Sequence, residues 1–389
     1  MEIVAIADLG LGDFTGAAAM YRNLLPQYPA FADDIRTRVD ALAQNAFAAG
    51  NYGEAVKMAS YALELQPSER DALKILAEAQ FAVADVRDGD EAIRKLQNMY
   101  PDAAQEVLDY LNQAATSRFA RGRYQDAVSL ASESIALKPD QREVLLVLGN
   151  AQFALANFSA AATVYRKLLD QDASDVPILR SYTDALASTG RSPAIAHDFE
   201  SWMAGVHEAS EPVAAQIRVE DAGLHVLDGD EALAKAIVEQ VRSNQGVVAP
   251  ELLARLAWWY YRAGNYNGGA AVVYDGIQMR PGDRGLQLMQ GWIDIEQHRF
   301  DDAIRLFESA SAEPRWNSPV MGRAIASWQA HRDEAALERF DSAAKALPQW
   351  RNPQWVAALY SPLVAHTAIE MDAEWQKRQS AKLRNVIRR

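Results

Sequence analysis

The 389 residues are 49% hydrophobic and 23% charged, an ordinary balance for a globular chain, and no stretch approaches the roughly 18–20 apolar residues that a membrane-crossing helix needs. Cysteine is absent, which excludes disulfides, thiolate catalysis, zinc–thiolate sites and iron–sulfur clusters from this sequence. A formal net charge of -13 argues against wholesale nucleic-acid binding, which needs a basic face.

The chain opens on MEIVAIADLGLGDF, where Glu2 and Asp8 stand in place of a basic n-region, so this is not a signal peptide. A cytoplasmic protein is the expectation, with the periplasm as the alternative if a leader has been removed. From there one pattern recurs. GNYGEAV (50–56) returns as GRYQDAV (122–128), ANFSAAA (156–162), GNYNGGA (264–270) and HRFDDAI (298–304), with an early variant, GDFTGAA, at 12–18. Gly50, Gly122, Ala156, Gly190, Gly264 and His298 are 72, 34, 34, 74 and 34 residues apart, so the dominant step is 34. The two wide gaps hold degenerate copies, DGDEAI (88–93) and DGDEAL (228–233).

Each copy predicts a helix, a tight turn, a second helix and then a proline that cannot continue it, as in ALELQP, IALKP, IQMRP and AKALP. Small residues five positions past the turn (Ala55, Ala127, Ala161, Gly269, Ala303) let two antiparallel helices approach closely. The aromatic two past it (Tyr52, Tyr124, Phe158, Tyr266, Phe300) fills the space beside them.

In period and signature positions the sequence resembles the tetratricopeptide repeat family. Copies fall at about 1–31, 36–69, 70–103, 108–141, 142–175, 176–205, 215–245, 250–283, 284–316 and 317–350. The aromatic expected early in each first helix is mostly leucine here (Leu73, Leu111, Leu145, Leu253). The resemblance implies an all-α, right-handed superhelical solenoid of about nine to ten such units. The expected arrangement is an N-terminal arc over 1–205, a C-terminal arc over 206–350, and a capping helix with a basic tail over 351–389. One 34-residue hairpin has too little interior to stand alone, so neighbours must stack to share a core. The N-terminus shows no polar cap, which leaves room for self-association or for this being a fragment of a longer protein.

A search for chemistry returns little. The histidines are His197, His207, His225, His298, His331 and His366, and the sequence contains no HExxH, GxSxG, Walker-type or calcium-loop pattern. His298 and His331 read as exposed turn residues standing where glycine is usual. GLGDFTG (10–16) is in phase with the repeat turn and no βαβ unit follows, which argues against a nucleotide loop. No catalytic residue, cofactor or metal site is expected.

The family resemblance implies instead a concave surface, lined by the first helices, that holds a partner peptide. Phase assigns its residues. In the N-terminal half these include an aromatic ladder, Phe47, Phe81, Phe119 and Phe153, with Asn112 and Asn150 beside it. Asp40, Asp71, Glu78, Asp109 and Glu143 accompany them and favour a basic peptide over nucleic acid. In the C-terminal half the same phase brings Trp258, Tyr261, Leu288, Trp292, Met321 and Trp328 to one groove, while Trp259 and Tyr260 turn into the contacts between helices.

Such a groove wants a cover. The chain's own terminal segment, with Trp355, Leu359 and Leu363, would supply one; a partner helix or a stacked sugar ring are the alternatives. The expectation is thus a non-catalytic scaffold or adaptor for a protein or peptide. A periplasmic accessory protein of bacterial envelope or exopolysaccharide assembly, and the repeat region of a longer transferase, stand as rivals. Contact with a membrane would come only through the basic C-terminal tail.

Overall fold

A computed structural model describes residues 29–83, 86–190, 193–206, 209–309 and 319–387. The motif at 12–18, and nearly all of the first repeat copy, lie outside them. The described residues form twenty α-helices and one short 3-10 helix, with no strand.

What makes the hairpins is local. α1 (Pro29–Ala48) ends at Gly50, whose φ of 78° is the left-handed conformation that terminates a helix cheaply in glycine. The Gly50 amide donates to Phe47 O and that of Asn51 to Ala46 O, both at 2.9 Å, satisfying carbonyls that the helix end would orphan. α2 (Tyr52–Leu65) then begins at once and stops before Pro67, because the residue preceding proline is held extended. The same turn joins α5 (Pro101–Ala120) to α6 (Tyr124–Leu137) at Gly122, and α7 (Arg142–Ala154) to α8 (Phe158–Gln171) at Ala156. It recurs at Gly229 between α11 (Glu211–Asp228) and α12 (Glu231–Gln245). Gly264 serves it between α13 (Pro250–Ala263) and α14 (Tyr266–Met279), and His298 between α15 (Arg284–Glu296) and α16 (Phe300–Ser309).

Ala156 and His298 hold the left-handed conformation at φ 66° and 58°, without glycine's freedom. In the following hairpin, α17 (Pro319–His331) and α18 (Glu334–Ala346), that residue is Arg332, with φ 50°. This corrects the assignment of His331 to the turn: it ends the helix, and the turn falls 34 residues after His298. The remaining helices are α3 (Arg70–Ala82), α4 (Val86–Met99), α9 (Val176–Ser188), α10 (Pro193–Met203), α19 (Pro353–Leu359) and α20 (Pro362–Ile387), with the 3-10 turn at Pro348–Arg351.

The chain divides into two compact units, 1–148 and 149–389, with the boundary inside α7. In the first, α1 packs on α2, α3 on α4 and α5 on α6, while α1, α3 and α5 also touch in succession. In the second, α11, α13, α15 and α17 form the corresponding row of first helices. Small residues set the spacing between neighbouring helices. A Cβ on Gly223 would lie 2.0 Å from Trp259 Cδ1, and one on Gly322 would lie 2.5 Å from the Phe307 ring. α20 lies against α17 and α18 and closes that end of the second unit, where a capping helix is expected. No helix among the described residues is long and apolar enough to cross a membrane.

Candidate functional site

The row Trp258–Tyr261 lies on α13, and all four aromatics are buried, each with a different neighbour. Trp259 sits over Gly223 of α11, and Tyr260 over Gly268 of α14. Trp258 and Tyr261 stack on each other at 5.6 Å with an interplanar angle of 12° and share one face of the helix. Trp292 of α15 and Met321 and Trp328 of α17 are buried as well, and Leu288 is half-buried.

Residues of the same chain fill this groove. After α18, Pro348, Pro353 and Pro362 break the helix three times, opening the 3-10 turn, α19 and α20 in succession. The broken path carries aromatic side chains to the first helices. Trp350 stacks on Trp292 at 6.2 Å with an interplanar angle of 12°. Tyr360 lies 4.9 Å from Trp292, 4.6 Å from Trp350 and 5.7 Å from Trp258. Trp355 meets Phe153 edge-on at 6.5 Å. Trp292 is 0% exposed and Trp258 3%. The buried phenols of Tyr261 and Tyr360 are pushed far above their ordinary pKa by desolvation, so both stay neutral. Of the expected cover, Trp355 and Leu359 are buried and Leu363 is half-buried; Trp350 and Tyr360, which carry most of the ring contacts, follow only from the bends that the three prolines impose.

Beneath the aromatic layer lies a polar network with no counterpart in the sequence reading. Arg255, buried in α13, makes bonds from Nε to both Glu220 oxygens at 3.0 Å, and from Nη2 to Glu220 Oε2 at 2.8 Å and Thr183 Oγ1 at 3.1 Å. Its Nη1 reaches Asp184 at 3.1 Å. Despite the opposing effect of burial, these two carboxylates hold its pKa above the usual arginine value. The indole N–H groups of Trp258 and Trp259 donate to Asp184 and Glu220, at 3.1 and 3.2 Å. Arg262 donates to Ser188 Oγ at 3.0 Å and to the Ala358 carbonyl at 2.9 Å, fastening the covering segment to the network. One signal in the sequence could have found it: Arg255 is the only charge in the apolar run LLARLAWWYY.

In the first unit, Phe47 and Phe119 of the ladder are half-buried and Phe81 is fully buried; in the second, Phe153 is buried. Each of three ladder members pairs with the aromatic two past its own turn: Phe47 with Tyr52 at 5.5 Å, Phe119 with Tyr124 at 5.5 Å, and Phe153 with Phe158 at 5.4 Å. Asn112 is engaged internally, donating to Gln141 Oε1 at 2.8 Å and accepting from Ser134 Oγ at 2.5 Å. Asn150 accepts from the Tyr165 hydroxyl at 2.8 Å.

Of the acids on the first-helix face, Asp71 and Asp109 are exposed and Glu78 is buried. Burial raises the Glu78 carboxyl to about 6, against the pull of Lys74. Arg70 bridges α3 to α5 through Asp102 at 2.8 Å and Glu106 at 3.4 Å, and Lys74 also pairs with Glu106.

A family model described as Tetratricopeptide repeat matches residues 41–107, and a second of the same description matches residues 118–182. Among solved structures, the chain is similar to a tetratricopeptide repeat protein from Parabacteroides merdae ATCC 43184. The identity is 13%, the match covers 78% of this chain and 96% of that one, and the TM-score is 0.33. It is similar to pilF of Pseudomonas aeruginosa at 19% identity, covering 56% and 95% of the two chains, with a TM-score of 0.25. A structure of Naa15/Naa10 bound to HypK-THB aligns at 15% identity over 96% of this chain and 70% of that one, with a TM-score of 0.31. No curated protein sequence matches.

Proposed function

Because this chain is a tetratricopeptide repeat protein, we propose that it works without catalysis, as a scaffold that holds a segment of a partner protein on the first-helix face of its N-terminal unit. The observation that carries this is the contrast between the two grooves. In the second unit the face is filled by Trp350, Trp355 and Tyr360 of the same chain, and neither Trp258 nor Trp292 offers a free ring to a sugar. In the first unit the half-buried Phe47 of α1 and Phe119 of α5 belong to the same row of first helices as exposed Asp71 of α3 and Asp109 of α5. Half-exposed rings beside carboxylates suit a segment with apolar anchors and basic flanks.

The test is capture of binding proteins from the native organism by the intact chain, by Phe47→Ala/Phe119→Ala and by Asp71→Lys/Asp109→Lys, all checked for equal helicity. Loss of the same basic-segment partner in both variants supports the reading. Unchanged capture by both refutes it.

A second reading is favoured by a separate observation. The buried indole N–H groups of Trp292, Trp350 and Trp355 have no hydrogen-bond partner. Each such group costs about 1–3 kcal/mol. Self-occupation of the C-terminal groove is therefore imperfect, and a partner strand whose carbonyl meets the Trp292 indole would displace residues 348–361 and return Trp350 and Trp355 to water.

A further inference from the structure

α10 and α11 are joined by residues 204–210 and meet in the most degenerate part of the repeat. On α11, Asp221 and His225 are one helical turn apart, so their side chains project from one face, the i, i+4 spacing by which a helix commonly supplies two ligands to one ion. From α10, Glu200 reaches toward the same point. His225 Nε2 lies 3.3 Å from Glu200 Oε1 and 3.8 Å from Asp221 Oδ1, and one donor atom from each residue falls within 4.8 Å of the other two. Zinc with ligands at about 2.1 Å in tetrahedral array holds neighbouring donors roughly 3.4 Å apart, close to the two distances from His225 Nε2.

The convergence is not a set of satisfied hydrogen bonds. His225 is 8% exposed and Asp221 6%, yet His225 Nε2 and Asp221 Oδ1 have no hydrogen-bond partner, and both point into the cluster. Such buried, unpartnered polar atoms call for an explanation. Two carboxylates brought this close repel unless something positive lies between them. The Glu200 side chain, 42% exposed, leaves one side of the cluster open to water. His197, a turn earlier on α10, has Nδ1 3.8 Å from the other Glu200 oxygen and is mostly exposed, placing a further imidazole within reach of that open side.

We propose that Glu200, Asp221 and His225 form a divalent-cation site that fastens α10 to α11. One imidazole and two carboxylates select zinc over magnesium, which prefers an all-oxygen octahedral shell and keeps its waters. The ion fixes a hairpin whose own repeat signature is weak.

The experiment uses the full chain stripped with chelator, followed by calorimetric titration with Zn2+ or Mg2+ and by thermal melts. The expected result is one tight Zn2+ equivalent and a Tm rise of about 5 °C at 100-fold excess over Kd, with no response to Mg2+. His225→Ala and the near-isosteric Asp221→Asn should each lose at least 10-fold in zinc affinity; His366→Ala, at an exposed histidine elsewhere, should keep it. Should His225→Ala fold poorly, Asp221→Asn carries the test alone. Zinc binding that survives Asp221→Asn unchanged is an adventitious ion only and overturns the proposal, as does the absence of any zinc equivalent.

Discussion

At Ala156 and His298 the chain holds a left-handed residue that is not glycine, a conformation costing roughly 1–2 kcal/mol. Ala156→Gly removes that strain and adds about 0.5–1 kcal/mol of unfolded-state entropy. The net gain should therefore be about 0.5 kcal/mol in denaturant unfolding, while Gly264→Ala, at φ 80°, should lose about 1 kcal/mol. A second residue-scale consequence concerns Glu78. Lys74 on its own helix and Glu106 and Tyr110 from α5 face it, and burial holds its folded pKa at about 6, above the unfolded value. A raised pKa means the folded state keeps the proton, so the stability contribution is present below about 4.5 and lost as pH climbs through 6. Glu78→Gln should therefore raise stability on the order of 1 kcal/mol at pH 8, after allowing for the water that reaches the site, and leave it unchanged at pH 4. Equal Tm gains at both pH values would show that the ionised carboxyl is not penalised.

Among the elements, α13 is the one that most other features lean on. Its Arg255 ties α9 through Asp184 and α11 through Glu220, so three first helices share one buried guanidinium. Removing it leaves buried Glu220 without its cation and Asp184 with Arg262 alone at 3.4 Å, and Arg255→Met should cost about 3–5 kcal/mol. The triple change Arg255→Met/Asp184→Leu/Glu220→Met should recover part of that, because an apolar replacement of a buried ionic cluster is often neutral, while the indole N–H groups of Trp258 and Trp259 and the Arg262 guanidinium lose their carboxylate acceptors. Comparing the two by guanidinium unfolding decides whether the cluster is there for stability or for fixing how these helices meet; recovery to wild-type stability points to the latter.

At the scale of the whole molecule, residues 348–361 complete the second unit from outside the repeat. Trp350→Ala removes a buried ring stacked on Trp292 and should cost about 3–5 kcal/mol. A chain ending at residue 347 should show red-shifted tryptophan emission and bind hydrophobic dyes, because the faces of Trp258 and Trp292 would meet water. If emission and Tm are unchanged in both, the segment does not hold the groove closed.

The turns, the 34-residue step, the small residues at helix crossings and the family itself are legible in the sequence, because each is a local requirement. Only certain residues close a left-handed turn, and only small ones fit where helices touch; the degree to which Trp259 needs Gly223 is the same rule read in space. Phase likewise places Trp258, Tyr261 and Trp292 on one face. Tertiary structure alone decided what meets that face. Trp350 and Tyr360 belong to no repeat, and their path depends on three proline bends whose directions have no periodic signature. The same holds for Arg255 with Asp184 and Glu220, and for His225 with Glu200. Residues 25 to 71 apart become partners when helices stack, and a charge in an apolar run reveals that a partner must exist without revealing which.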